Sequence, residues 1–298
     1  MAFVALAMST SVSLGVCSQT EIGAITFSGT ALPPYNPFTN TAPRLVTVSV
    51  TSTVACSVEL AFQSTSNPAR MLGPGTLIYD VQSQGSSTSL LFVSGTPSTT
   101  TRIDIPAGNV GVATVQIALS PNQVVSSGTY GDNSLVAYIY DKTGFVLAPL
   151  KSASVPISGS VAAACQFASP TNPTMNFSSA ITNGMPRPSY VGSVTLPSLS
   201  CTAPSLVRLS AGPMLLTPTA SNMAFDNLIN FQANASLDGA TAVLDTRSGS
   251  AVASTLRNVA SGATTNASVT INVSLLAGRP LLPGIYSSLL TLSIDPNP

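Results

Sequence analysis

Four cysteines, at positions 17, 56, 165 and 201, are the side chains best able to do chemistry in this 298-residue chain. They fall into two pairs, separated by 39 and 36 residues. No Cys-x-x-Cys occurs and the chain contains no histidine, so the usual zinc ligand sets are missing. The lack of histidine also removes Ser-His-Asp and Cys-His arrangements. The Asp and Glu residues are scattered, and no glycine-rich phosphate loop ends in Lys. The residues therefore point away from an enzyme, and no metal or cofactor is expected. The expected use of the thiols is two disulfides, Cys17 with Cys56 and Cys165 with Cys201, which implies an oxidising compartment.

The elements holding those pairs read as strands. Only 7% of the residues are charged and the formal net charge is zero, so nucleic acid is not an expected partner. Apolar residues come in short runs broken by Ser, Thr, Gly and Pro, the pattern of many short strands and frequent turns. No run of eighteen apolar residues suggests a membrane-spanning helix. The length suits two domains, each able to bury a core.

The cysteine pairs sit in two copies of one pattern. Residues 1–16 form a separate N-terminal segment. Ala2 to Ala7 are apolar and Ala5-Leu6-Ala7 resembles a signal-peptidase site, but no basic stretch precedes them; a secretory signal without its start is expected. The first copy covers 17–156. There Leu45 to Cys56 alternates at period two and reads as a strand continued by Ser57 to Phe62. A short linker of small residues is expected over 157–164, and the second copy covers 165–298. Each copy is expected to be an immunoglobulin-like β-sandwich, the whole chain all-β. Gly128-Thr129-Tyr130 and Gly284-Ile285-Tyr286 each enter a late strand, and Tyr130 and Tyr286 read as structural corner tyrosines rather than binding groups.

After Tyr130 the copies diverge. The first copy continues through Leu135 to Tyr140, turns at Asp141-Lys142-Thr143-Gly144 and returns as Phe145 to Pro156. A polar turn with Gly between apolar runs is a hairpin signal. The second copy reaches Ser293-Ile294-Asp295-Pro296 without a returning run. The expectation is a second sandwich without its final strand. Filling such a groove takes about four or five apolar side chains, on the order of 6–15 kcal/mol. A strand supplied by β-strand addition would provide them, donor-strand complementation between pilus subunits being one form.

The residues that carry a resemblance are the Cys…Phe…Val-x-Cys opening, Arg70-Met71…Leu77-Ile78-Tyr79-Asp80, and Gly128-x-Tyr130-x-Asp132. Together they resemble the spore coat protein U-like domain, from which archaic (Csu-type) chaperone–usher pili are built. Ser288 stands where the second copy would carry the Asp, and the Arg-Met segment has no clear second copy. The resemblance implies a two-domain tip adhesin that joins the fibre by donor-strand complementation. Its implied partners are a periplasmic chaperone, an outer-membrane usher, an adjacent subunit donating a strand, and an apolar or host surface. Its implied location is the cell-surface fimbrium, in a biofilm setting. The alternative is a non-adhesive structural coat or minor pilus shaft protein of the same fold, with a sugar-specific lectin ranked third. Strand parity puts the loops near Gln63–Gly75, Ser94–Ala107 and Asp141–Leu147 at one distal end. The expected adhesive residues there are Met71, Leu72, Phe145, Val146 and Leu147, although alternation would bury two of the last three in the final strand.

Overall fold

Alternation of branched apolar and hydroxyl residues lays down the strands. In Arg44–Ser52, Val46, Val48 and Val50 are buried, whereas Thr47, Ser49 and Thr51 stand half-exposed between them. Thr264–Leu275 repeats the pattern with Ala267, Val269, Ile271, Val273 and Leu275 turned inward. Side chains in a strand point to alternate faces, so each strand offers one apolar face to a core. The computed structural model describes residues 15–39, 42–141, 148–169, 172–248, 253–256 and 262–296, of which 253–256 are described by their backbone alone. The chain is all-β; among the described residues the only helical turn is a 3-10 piece at Ser178–Ala180.

The chain divides into two compact units. The described residues of the first lie within 15–35, 42–123 and 129–160, and those of the second within 36–39, 124–128 and 161–296. In the first unit a six-stranded sheet runs in the order Gly15–Val16, Cys56–Gln63, Val136–Asp141, Lys151–Ser154, with Leu91–Phe92 and Thr101–Ile105 also joined to Cys56–Gln63. A seven-stranded sheet runs Ile157–Val161, Gly128–Asp132, Ala69–Leu72, Thr76–Ser83, Val110–Leu119, Arg44–Ser52, Ile22–Ser28.

In the second unit the largest sheet runs Cys165–Phe167, Val191–Cys201, Thr264–Leu275, Phe231–Leu237, Ala240–Asp245. Two three-stranded sheets accompany it. One is Ala253–Leu256, Ser205–Ser210, Thr291–Pro296; the other is Leu228–Ile229, Met214–Thr217, Ile285–Ser287. Val207 and Leu209 meet Phe231, Ala233, Ala235, Val269 and Ile271 in one core, which is the packing of a sandwich. Both expected disulfides are present, Cys17–Cys56 and Cys165–Cys201, and all four thiols are thereby used.

Two expectations change. The run from Leu45 to Phe62 is two strands in different sheets, Arg44–Ser52 and Cys56–Gln63. The Val54 N–H turns back to the Ser52 hydroxyl at 3.2 Å, a local bond by which Ser ends a strand while leaving the alternation unbroken. The expected linker begins with a strand, Ile157–Val161. Ile157 is buried, and the backbone bonds from Leu32 N–H to the Ser158 carbonyl (2.7 Å) and from Ser158 N–H to the Thr30 carbonyl (3.2 Å) hold the small residues in place. Smallness here permits pairing on both edges.

A candidate strand-accepting edge

Closure of the first unit shows what a completed edge looks like. Val136–Asp141 lies between two neighbours. On one side Ala137 faces Phe62 and Ile139 faces Leu60; on the other, Ala137 faces Ala153 and Ile139 faces Lys151. The inward residues Leu135, Ala137 and Ile139 are sealed at 0% exposure. The returning segment adds little bulk in the ladder itself, since Ser152 and Ser154 are exposed and Ala153 is half-buried. Its apolar contribution is concentrated in Val155 and Ile157, both buried. Two such side chains are worth roughly 3–6 kcal/mol, less than the four or five expected of an alternating strand would supply.

The corresponding strand of the second unit, Thr291–Pro296, pairs with Ser205–Ser210 in full register, Leu292 opposite Leu209 and Ile294 opposite Val207. Among the described residues its other edge has no partner strand. Leu290, Leu292 and Ile294 pack on the core yet stay only half-buried. Ile285–Ser287 pairs with Met214–Thr217 on one side and, among the described residues, with nothing on the other. Between and beside these edges, Leu289 is 80% exposed and Ile285 is 73% exposed. An unpaired edge beside exposed apolar side chains is a template for another strand. The edge carries little charge; its one ion pair, Arg208 with Asp295 at 3.2 Å, is half-exposed on both sides and contributes little.

Each corner tyrosine ties its own unit's turn to nearby backbone. Gly128 and Gly284 both have positive φ, +136° and +155°, and a side chain at Gly284 would collide with Leu216. The Tyr286 hydroxyl reaches the carbonyl oxygens of Leu282 (2.9 Å) and Asp226 (3.0 Å). Arg279 clamps the same Asp226 through its side chain and its backbone N–H. Tyr130 is buried and bonded to the Gly75 backbone; burial raises its pKa. The resemblance motifs meet inside the first unit, where the Tyr79 hydroxyl donates to Asp132 Oδ2 at 2.6 Å. Ser134 donates to Oδ1 of the same carboxylate from its N–H and its hydroxyl. Burial first, then the bond to Asp132 and its charge, push the Tyr79 pKa far above the ordinary range. In the second unit Ser288 donates to the Gly212 carbonyl on the exposed surface instead.

Of the expected adhesive residues that the structure describes, one is buried and one is exposed. Met71 is 0% exposed, a core side chain of Ala69–Leu72, and it cannot touch an outside surface in the folded unit. The residue sequence holds the reason: Ala69 and Met71 point in, while Arg70 and Leu72 point out. Leu72 is 68% exposed. Phe145, Val146 and Leu147 lie outside the described residues. The strand that leads toward them ends with Asp141 opposite Val58, whereas Gln63 sits opposite Val136 at the other end of the sheet. Strand parity thus misplaced the Asp141 turn relative to the Gln63 loop. The Ser94–Ala107 stretch contains a strand, Thr101–Ile105, whose Ile103 and Ile105 are buried against the core. Sequence alone does not group the edge residues Ile285, Leu289, Leu290, Leu292 and Ile294, because they come from two strands of different sheets and the turn between them.

No protein-family model matches the chain, and no curated protein matches its sequence. Solved structures resemble it distantly. The chaperone–tip adhesion subunit pre-assembly complex from archaic chaperone–usher Csu pili of Acinetobacter baumannii shares 12% identity at a TM-score of 0.40, over 91% of this chain and 100% of that one. The CupB6 tip adhesin from Pseudomonas aeruginosa shares 12% at 0.37, over 94% and 96%. The adhesive subunit of CFA/I fimbria of enterotoxigenic Escherichia coli shares 10% at 0.37, over 89% and 90%. Similarity this slight assigns neither a family nor a function.

Proposed function

We propose that the chain is a pilus subunit of the tip-adhesin type: its second unit accepts a β-strand from an adjacent subunit, and its first unit meets the surface to which the fibre attaches. The observation that carries this reading is the outer edge of Thr291–Pro296, unpaired among the described residues, with Leu290, Leu292 and Ile294 half-buried along it. Completing their burial is worth on the order of 2–5 kcal/mol, a large part of the stability of a typical domain. The resemblance to the spore coat protein U-like domain supplies the setting, with a periplasmic chaperone and an outer-membrane usher delivering the subunit to a cell-surface fimbrium. In this reading 17–156 is the adhesin-like part and 165–298 the pilin part. Leu72 is the contact residue of one end of the first unit, and Phe145, Val146 and Leu147 form a second group; Met71, being buried, takes no part in the contact. Surface binding would be dehydration-driven, strengthened by many fibres acting together.

The test fuses an alternating apolar strand of about a dozen residues to the C-terminus of the full chain and follows thermal unfolding. A rise of about 10 °C in the transition of the second unit is expected. An unchanged transition removes the strand-accepting reading. Retention of the fused protein on apolar beads, reduced by Leu72→Ser, tests the adhesive half separately; equal retention of both proteins removes Leu72 from the contact surface.

A further inference from the structure

In the first unit one uninterrupted segment closes two edges in two different sheets. Along Val136–Asp141, Lys151 pairs with Ile139 and Ser154 with Val136. The N–H groups of Leu150 and Val155 extend that ladder to the carbonyls of Ile139 and Leu135, at 2.7 and 2.8 Å. Beyond Pro156 the chain crosses to the other sheet, where Ile157–Val161 joins Gly128–Asp132. The apolar filling sits at the crossing: Val155 and Ile157 are buried on either side of an exposed proline. Proline suits that position because it has no N–H to leave unpaired between two ladders.

The second unit leaves both matching edges open among the described residues, Thr291–Pro296 in one sheet and Ile285–Ser287 in the other. The short connection between them, Ser288 to Leu290, holds the exposed Leu289, with Ile285 exposed just before it. A straight strand lying along Thr291–Pro296 would leave Ile285–Ser287 unpaired. We infer that the segment accepted by the second unit is bent and spans both sheets. It is supplied by a different polypeptide, because this chain's own segment of that pattern, Ser152 to Ile157, is already paired and buried within the first unit, and it carries small residues along Thr291–Pro296. Next comes a corner with β-branched residues on either side of a proline, then a short run along Ile285–Ser287. This inference rests on the strand-accepting reading above and gives the partner its chemistry: an extended segment patterned small-small-small, β-branched, Pro, β-branched. Its β-branched pair covers the crossing as Val155 and Ile157 cover theirs.

The experiment uses the full chain and three synthetic peptides. The first has the sequence of residues 148–161, the second is the same with Val155→Ser and Ile157→Ser, and the third is a straight Val/Thr alternation of equal length without proline. Amide hydrogen exchange is read separately for 285–287 and 291–296. The bent peptide should slow exchange about tenfold or more in both strands, the straight peptide in 291–296 only, and the doubly substituted peptide in neither. Protection of both strands by the straight peptide with none from the bent one overturns the bend and leaves the strand-accepting reading standing. No protection from any peptide overturns both. Protection that grows with the concentration of the chain alone makes a second copy the donor and overturns the assignment to a different polypeptide.

Discussion

Leu135, Ala137 and Ile139 in the first unit and Leu290, Leu292 and Ile294 in the second alternate inward along strands that follow the same Gly-x-Tyr corner. The first three are sealed from solvent, while the second three are half-open. Both strands have a well-paired inner neighbour, Cys56–Gln63 in one case and Ser205–Ser210 in the other. Both units carry one disulfide, closing separations of 39 and 36 residues. In the chain-entropy account those loops restrict the unfolded chain almost equally, by about 4 kcal/mol each. The difference therefore lies in neither the strand, its inner pairing nor the bridge. Among the described residues it lies in the segment from Lys151 to Ile157 of the first unit, where two buried side chains and one ladder turn a half-covered edge into core.

The comparison is broken most severely by opening the first unit. Replacing Val155 and Ile157 together by Ser should cost the first unit about 5 kcal/mol or more, through lost burial and the cavities left behind. Denaturant unfolding should then show its transition at or below that of the second unit. A loss under about 1 kcal/mol would mean that the ladder alone seals the edge.

Reduction of the disulfides should lower both transitions by similar amounts, each on the order of 2–5 kcal/mol. Calorimetry with and without reductant checks this, and a loss confined to one unit would return the bridges to the list of differences.

Tyr79→Phe should cost the first unit about 1–3 kcal/mol by leaving the buried Asp132 carboxylate short of a donor, with no effect on the second. The same pair predicts a response to alkali. The folded-state pKa of Tyr79 is raised above its ordinary value of 10.0 by burial, then by the bond to Asp132 and its charge. Its contribution is fully present below pH 10 and is lost as pH rises above that, because the unfolded chain ionises first. The first unit should weaken above pH 10, and Tyr79→Phe should flatten that dependence. Stability profiles of the two proteins across this range decide it.

The smallest effect is expected at Leu72. Leu72→Ser should change stability by no more than about 0.5 kcal/mol, because the side chain is already in water. A larger loss would show that Leu72 packs in solution and is not available to a surface.

Several parts of this architecture were legible in the residues. The paired cysteine spacing gave the bridges, and the Val46, Val48, Val50 alternation gave a strand face that the fold uses. Other parts were hidden because alternation names a face but not a sheet. The chain changes sheets between Ser52 and Cys56 without any interruption of the pattern, the turn being made by a Ser hydroxyl of the same type that lines the strands. Ile157–Val161 was obscured for a related reason, since its Ser, Gly and Ser look like linker until the neighbours on both sides are known. Met71 and Thr101–Ile105 were different. Their period-two patterns, Ala-Arg-Met-Leu and Thr-Arg-Ile-Asp-Ile, indicate burial, and the fold follows the pattern rather than a loop. In the second unit, Ile285–Ser287 needed the paired topology of the first unit to be recognised as part of the edge.

Among the described residues the outer strand of the second unit is open where that of the first is closed. Amide hydrogen exchange of the full chain alone, resolved for Val136–Asp141 and for Thr291–Pro296, tests it most directly. The account predicts that Val136–Asp141 exchanges only through unfolding of its whole unit, while Thr291–Pro296 exchanges at least about a hundredfold faster through local opening. Equal protection of the two strands would contradict it.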